Sequence, residues 1–322
     1  MPALIKSLAK RMPYYFLLRV HFNYSLRREA ALAREISEIA GLSLLETLDL
    51  ARLKKSDTVF VLGSGWSINN ISDERWGVIA GHDTFALNYW PVHPFVPKIH
   101  LFENIYSADN SDTEQFEAMS NALQGLMRRR ADDYRNVTKI ISEPQPLSRR
   151  QRILDIPQGF LPQLYVGYSV AVVARNEPEL VAGIRYLSRQ GIFASDTHIP
   201  WHFNYGGSVT KALSLAVRMG YRRIVLCGVD LGNADCFYHD AARFPQACSW
   251  QFVPRSQPHA TTLRLKWRLS AQEAIYLFKN EVLDRAGVEL YVESRSSTLF
   301  PRVPEAPPEL FESLASHLPG VP

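Results

Sequence analysis

A chain of 322 residues, 46% hydrophobic and 21% charged, is long enough to bury one large core or two moderate ones without covalent staples. Its net charge of +4 comes from Lys and Arg interleaved with Asp and Glu. That pattern lacks the concentrated basic face of a nucleic-acid binder, while it suits anionic substrates or a membrane surface. The three cysteines, Cys227, Cys236 and Cys248, are odd in number and lack metal-ligand spacing. Neither a disulfide framework nor a zinc site is expected, and a reducing cytoplasm is the expected compartment.

No run reaches the roughly 20 apolar residues that span a bilayer, and the N-terminus lacks the apolar core and cleavage site of a signal peptide. In its first 28 residues Leu4, Ile5, Leu8, Tyr14, Tyr15, Phe16, Leu17 and Leu18 are mixed with Lys6, Lys10, Arg11, Arg19, Arg27 and Arg28. Such a mixture fits a segment lying in an anionic membrane interface, here the inner face of the cytoplasmic membrane. It fits equally a helical extension packed on the domain or on a partner chain, a homo-oligomer included, and Pro13 interrupts any continuous helix. Residues 29–55 are expected to continue as helix through the stripe Leu32, Ile36, Ile39, Leu42, Leu45 and Leu48, so that residues 1–56 form an N-terminal helical extension.

The period then changes. Thr58–Leu62 reads as a strand ending in Gly63-Ser64-Gly65-Trp66-Ser67, Thr84–Leu87 as a strand ending at Asn88, and Lys98–Phe102 as a strand ending at Glu103-Asn104. Three strands that each finish in ligand-capable residues are expected to converge on one crevice, because parallel sheets bind ligands at the carboxyl ends of their strands. The glycine loop is either an approach for a phosphate, with Ser64 and Ser67 as donors, or a tight strand-to-helix turn. Ile68 stands where a dinucleotide fingerprint needs its third Gly, and no Gly-Lys-Ser/Thr follows. Residues 112–130 read as a helix running into Arg128-Arg129-Arg130, Val137–Ser142 as a strand, Glu143–Pro162 as an irregular connection and Glu177–Gln190 as a helix.

The stretch Gly206–Asp230 organises the remainder. Ser208 is the expected N-cap of a helix with Val209, Ala212, Leu213, Ala216 and Val217 on its buried face; Gly220 closes it, and Ile224–Val229 is an apolar strand ending at Asp230. The N–H groups of Gly206-Gly207-Ser208 would favour an anion and Asp230 stands at a strand's carboxyl end, although an ordinary crossover without ligand has the same pattern. Residues 231–258 are aromatic but aperiodic, a lid by length, and Thr262–Arg285 is expected to be helical, Val288–Val292 a strand, and the Pro-rich tail 301–322 largely surface. His259, just before a helix and just after the lid, is a candidate general base or a plain capping residue. His198 and His202 frame an Ile-Pro-Trp turn and His239-Asp240 lies in the lid; none has zinc spacing, so no metal is expected, and no Gly-x-Ser-x-Gly elbow is present. The expected fold is α/β with a Rossmann-like, mainly parallel twisted sheet over residues 57–300.

From Thr58 to roughly Ser297 the order of these motifs resembles the bacterial lipooligosaccharide sialyltransferases of glycosyltransferase family 42. Gly63 to Ser67 is similar to that family's Gly-Asn-Gly-Pro-Ser loop with Ser64 and Trp66 substituted, Asn88 and Asn104 to its donor-contacting asparagines, and Ser208-Val209, Gly220-Tyr221 and Leu226-Cys227-Gly228-Val229-Asp230 to its loop, helix and strand end. Tyr238 resembles the second of two phosphate-binding lid tyrosines and His259 the catalytic base, whereas Gly232 replaces the first tyrosine and Tyr205 stands near a missing Arg. The resemblance implies a GT-A-like variant of the fold that moves a sialic acid, or a related nonulosonic or Kdo-type sugar, from a CMP donor to a hydroxyl of a bacterial surface glycan or glycolipid. It implies inversion, no metal and no cofactor, His259 as base, and donor binding by Gly63, Ser64, Gly65, Ser67, Asn88, Asn104, Gly207, Ser208, Gly228, Asp230 and Tyr238. Rival readings are a pyrophosphokinase-like enzyme using ATP and Mg²⁺ on a similar scaffold, and a glycan-assembly protein whose site has decayed, for which the Gly232 substitution speaks.

Overall fold

The computed structural model describes residues 14–103, 113–142, 156–195, 201–232, 235–247, 262–265 and 268–312. The chain enters through helix α1 (Tyr14–Ala40), edge strand β1 (Ser43–Leu44) and the single turn α2 (Leu50–Leu53). Then come β2 (Thr58–Leu62), α3 (Asp73–Ala80), β3 (Asp83–Leu87), β4 (Ile99–Phe102), α4 (Thr113–Arg129), β5 (Thr138–Ile141) and β6 (Leu164–Val166). The second half holds β7 (Tyr168–Ala171), α5 (Glu177–Arg189), β8 (Trp201–Asn204), α6 (Ser208–Arg218), β9 (Arg223–Cys227), α7 (Ala271–Phe278), β10 (Glu289–Val292) and α8 (Glu309–Glu312).

Eight strands form one sheet in the order β1-β6-β5-β4-β3-β2-β9-β10, every neighbouring pair parallel. This is the α/β, Rossmann-like arrangement that the alternation of strands and helices predicts. Strands β2, β3 and β4 are buried along their whole length, as parallel strands covered on both faces must be. The chain builds outward from β2 to β6 and then returns to lay β9 on the other side of β2. Strand order therefore reverses between β2 and β9, and the register Leu62↔Cys227 makes Gly63 and Gly228 leave the sheet side by side. A crevice at such a reversal is where open α/β sheets bind ligands. Strands β7 and β8 pair separately, also in parallel.

Several elements differ from the sequence-based expectation. Helix α1 does not run through residue 55: Gly41, at φ 63°, turns the chain into the left-handed region and ends it at Ala40. Strands β1, β6, β7 and β8 were not expected, each being only two to four residues long and too short to show a period; Trp201 and His202, read as part of a turn, lie in β8. Helix α7 begins at Ala271 and not at Thr262, because Ser270 and Glu273 form a reciprocal capping box there. It runs on through a π turn (Lys279–Leu283) and a 3-10 turn (Asp284–Ala286) to Gly287 at φ 67°. The start of the Pro-rich tail is not surface: Val303, Ala306 and Leu310 are buried, and Val292 bonds Pro304 and Ala306 along the edge of β10.

Three core histidines carry a pH signature. Burial, reinforced by nearby cations, lowers His93, His100 and His202 each from 6.5 to about 3. His202 finds no partner for either ring nitrogen among the described residues. Between pH 6.5 and about 3 the unfolded chain binds protons at these sites and the folded chain does not. Their contribution to stability is therefore complete above pH 6.5 and is lost as the pH falls toward 3, with a slope of up to about 1.4 kcal/mol per pH unit for each histidine. Chemical denaturation at stepped pH should show this acid limb, and His202→Phe should reduce proton uptake on unfolding near pH 5 by about one; an unchanged uptake would mean that His202 titrates normally in the fold.

Candidate functional site

The carboxyl ends of β2, β3 and β9 and the start of α6 enclose a cavity of about 330 Å³. Its floor is the β2–β9 junction. Gly63 N–H donates to Cys227 O and Gly65 N–H to Gly228 O, each at 2.7 Å. The backbones are so close that a Cβ on Gly63 would lie 2.5 Å from Gly228 O, and one on Gly65 2.5 Å from Asp230 Oδ2. Gly228 is at φ 64°, and a Cβ there would lie 2.5 Å from Ile68 Cγ1. The glycines are thus required by strand-to-strand packing, whatever approaches them from the cavity side. Asp230, which lines the cavity, also holds this loop: Ser67 donates its N–H to Oδ2 (2.9 Å) and its hydroxyl to Oδ1 (2.5 Å).

A second polar chain joins three more strand and helix ends. Asn88 takes the left-handed conformation (φ 50°) after β3, and its amide donates to Ser208 Oγ at 3.1 Å. Ser208 Oγ donates in turn to Glu103 Oε1 at 2.9 Å, and Lys211 Nζ reaches the same oxygen at 2.5 Å and Ser142 Oγ at 3.3 Å. Burial pushes the Glu103 carboxyl up, but the Lys211 charge and the bonds from Lys211 and Ser208 outweigh it and hold the group below the usual carboxylate range. Because Ser208 gives its proton to Glu103, it can only accept from Asn88, which fixes the amide's orientation and leaves Asn88 Oδ1 buried without a partner among the described residues.

Ser208 is consequently not the N-cap of α6. Gly207 holds that position with no side chain to offer, at φ 140°, after Gly206 at φ 82°. The N–H groups of Gly207, Ser208 and Val209 have no partner among the described residues, and all three residues line the cavity. They form the positive end of an 11-residue helix.

The opposite wall comes from the described part of the segment read as a lid. A 3-10 turn at Phe237–His239 is fastened to the glycine loop by Phe237 N–H to Ser64 O (2.9 Å) and Asn69 Nδ2 to Phe237 O (3.0 Å). Phe237, Tyr238 and Phe244 are buried, so this part is a packed wall. Tyr238 lines the cavity with only 1% of its surface exposed, edge-on to Tyr89 at 6.1 Å, and burial holds its hydroxyl well above the usual tyrosine range. His239 Nδ1 accepts the Cys236 N–H at 3.0 Å, which puts the proton of the neutral ring on Nε2. In that tautomer the ring donates and is not set up as a base.

The structure therefore gathers Gly63, Ser64, Gly65, Asn88, Gly207, Ser208, Gly228, Asp230 and Tyr238 around one cavity, with Ser67 beneath Asp230. Asn104 and His259 lie outside the described residues. Glu103, noted in sequence only as a strand end, and Tyr89, Asp235, Cys236 and His239 also line the cavity, and buried Lys211 supports it. The sequence signal for Lys211 was a single cation inside an otherwise apolar helix. Among the described residues no group of three or more His, Cys, Asp or Glu could hold a metal ion, and no helix is long and apolar enough to cross a membrane. A scan against protein-family models matches none of them, and a search of curated proteins likewise gives no match.

Breaking the Glu103–Lys211 pair should leave a buried, uncompensated charge. Lys211→Met is expected to cost about 3 kcal/mol in urea unfolding, and the double variant E103Q/K211M to recover most of it. Additive losses in the double variant would show that the two groups are not coupled.

Proposed function

We propose that this chain is an inverting glycosyltransferase that moves sialic acid, or a related nonulosonic or Kdo-type sugar, from a CMP donor to a hydroxyl of a glycan or glycolipid. One observation carries the reading: the N–H groups at the start of α6, without partners among the described residues, open on the cavity at the β2–β9 reversal, while Glu103 and Asp230 beside them are already hydrogen-bonded internally. Helix-start N–H donors favour an anionic ligand, Lys211 offsets the charge of Glu103, and a CMP-activated acidic sugar carries one charge on its phosphate and another on its sugar carboxylate. On this reading the fold is a GT-A-like variant, and segment 231–258 covers the donor and excludes water.

The chemistry follows from those groups. An acceptor hydroxyl attacks the anomeric carbon from the face opposite the phosphate, the bond from that carbon to the phosphate oxygen breaks, and CMP leaves as the configuration inverts. The N–H groups of Gly207, Ser208 and Val209 stabilise the charge gathering on the leaving phosphate, and His239, as a donor through Nε2, adds to them. Asn88 Oδ1 is an acceptor suited to a donor hydroxyl or amine. The acceptor's proton goes to His259, the base that the family resemblance implies. Stabilisation by N–H and O–H donors makes this a metal-independent reading.

Thermal-shift titrations with CMP, CDP, ATP and GTP, each with and without Mg²⁺, test the donor class. At about 100 times its dissociation constant a ligand of the folded state adds about 2.7 kcal/mol. CMP and CDP should stabilise the chain without metal, and His259→Ala should keep CMP binding while lowering transfer from a CMP-sugar by roughly 10² to 10⁴. Stabilisation by ATP with Mg²⁺ alone would overturn the donor assignment and favour the pyrophosphokinase-like alternative.

A further inference from the structure

Helix α1 has two unlike faces. Leu18, Phe22, Ala33 and Ile36 are buried, with Phe22 edge-on to Tyr186 and Trp201 at 5.4 and 5.3 Å. On the other side Phe16, Val20 and Tyr24 stand 51%, 52% and 65% exposed. Their four-residue spacing draws a line about 12 Å long down the helix. Exposed Arg27 falls on the same arc, and exposed Arg19 and Arg28 stand on either side of it. Single exposed apolar residues are ordinary, but an aligned aromatic and aliphatic row framed by arginines is not. The sequence adds a second observation: residues 1–28 contain six Lys and Arg (Lys6, Lys10, Arg11, Arg19, Arg27, Arg28) and no Asp or Glu, the first acid being Glu29.

We infer that this face of α1 docks on an anionic lipid bilayer. Aromatic and aliphatic side chains enter the headgroup boundary, and the flanking arginines meet the lipid phosphates. A second copy of the chain is the poorer partner, since it would bring an equally acid-free, arginine-framed row. The surface is also tied to the cavity. Tyr14 Oη donates to Val173 O at 2.9 Å, Tyr205 Oη donates to the next carbonyl, Ala174 O, at 2.7 Å, and Tyr205 leads directly into Gly206 and Gly207 of the cavity wall. Docking would hold the cavity close to a membrane-borne acceptor, although the docking itself does not depend on what the cavity binds.

The test is sedimentation of the full chain with vesicles of phosphatidylcholine alone or with about 30% phosphatidylglycerol. Binding should require the anionic lipid and weaken as salt rises. V20S/Y24S and R19E/R27E should each bind the anionic vesicles about tenfold more weakly, with unchanged melting temperatures and unchanged nucleotide-induced shifts. Equal binding by wild type and both variants would overturn the proposal, as would equal binding to neutral vesicles. So would a wild-type dimer in light scattering that V20S/Y24S makes monomeric without any vesicle binding, since the row would then be a contact between copies.

Discussion

The closeness of two backbones at the carboxyl ends of β2 and β9 is the constraint on which the cavity depends. Gly63 and Gly65 bond across to Cys227 and Gly228, and Asp230 receives both donors of Ser67. No side chain larger than hydrogen fits at the three glycines without displacing the facing strand. Because the loop is pinned at Gly63, Ser64, Gly65 and Ser67, the cavity floor is tied to the sheet. A rigid floor matters at a strand-order reversal, where any ligand must meet groups whose positions are set before it arrives.

The second consequence is electrostatic. Three strand ends bring two carboxylates and an amide to the cavity, and an uncompensated carboxylate there would repel an anion. Each is instead engaged: Asp230 by Ser67, Glu103 by Ser208 and Lys211, Asn88 through its amide by Ser208. Asparagine adopts the left-handed conformation at little cost, so Asn88 can turn its amide toward α6 without a glycine. The exchange explains why Ser208, a strong N-cap by residue type, leaves its own helix uncapped. Its hydroxyl completes the Asn88–Glu103 chain, and the first N–H groups of the helix have no partner among the described residues.

What was legible in the sequence was whatever depends on a local pattern. The runs at Thr58–Leu62, Thr84–Leu87 and Ile224–Val229 read as strands because each is mostly apolar, the last ending in the structure at Cys227, and their polar ends led to one crevice. The start of α7 was also written locally, in Ser270-Ala271-Gln272-Glu273, but the apolar residues before it masked the capping box. Strands of two to four residues such as β1 and β8 exist only through their partners, so they carry no period of their own. The bond between Asp230 and Ser67 was not legible for the same reason: the position of Asp230 after a strand is local, whereas Ser67 is 163 residues away. Lys211 was overlooked because a cation in an apolar helix makes sense only beside Glu103, 108 residues earlier.

The amino edge of the same strands is tied by a polar cluster of its own. There Asp83, at the start of β3, accepts from Lys55 and Ser56 N–H, from Tyr221 Oη and from Lys98 Nζ, tying the entries of β2, β3 and β9 together. Both oxygens of that buried carboxylate are engaged, Oδ1 by Lys98 and Oδ2 by the other three donors. At the carboxyl edge the same three strands are held just as firmly, yet three helix N–H groups and the Oδ1 of Asn88 remain without partners among the described residues. Buried polar groups are left unsatisfied at a cost of about 1 to 3 kcal/mol each unless something else completes them. The amino edge also leaves Thr58 Oγ1, both ring nitrogens of His82 and Arg223 Nε without partners among the described residues, so open polar groups occur at both edges, and those of the carboxyl edge border the β2–β9 cavity.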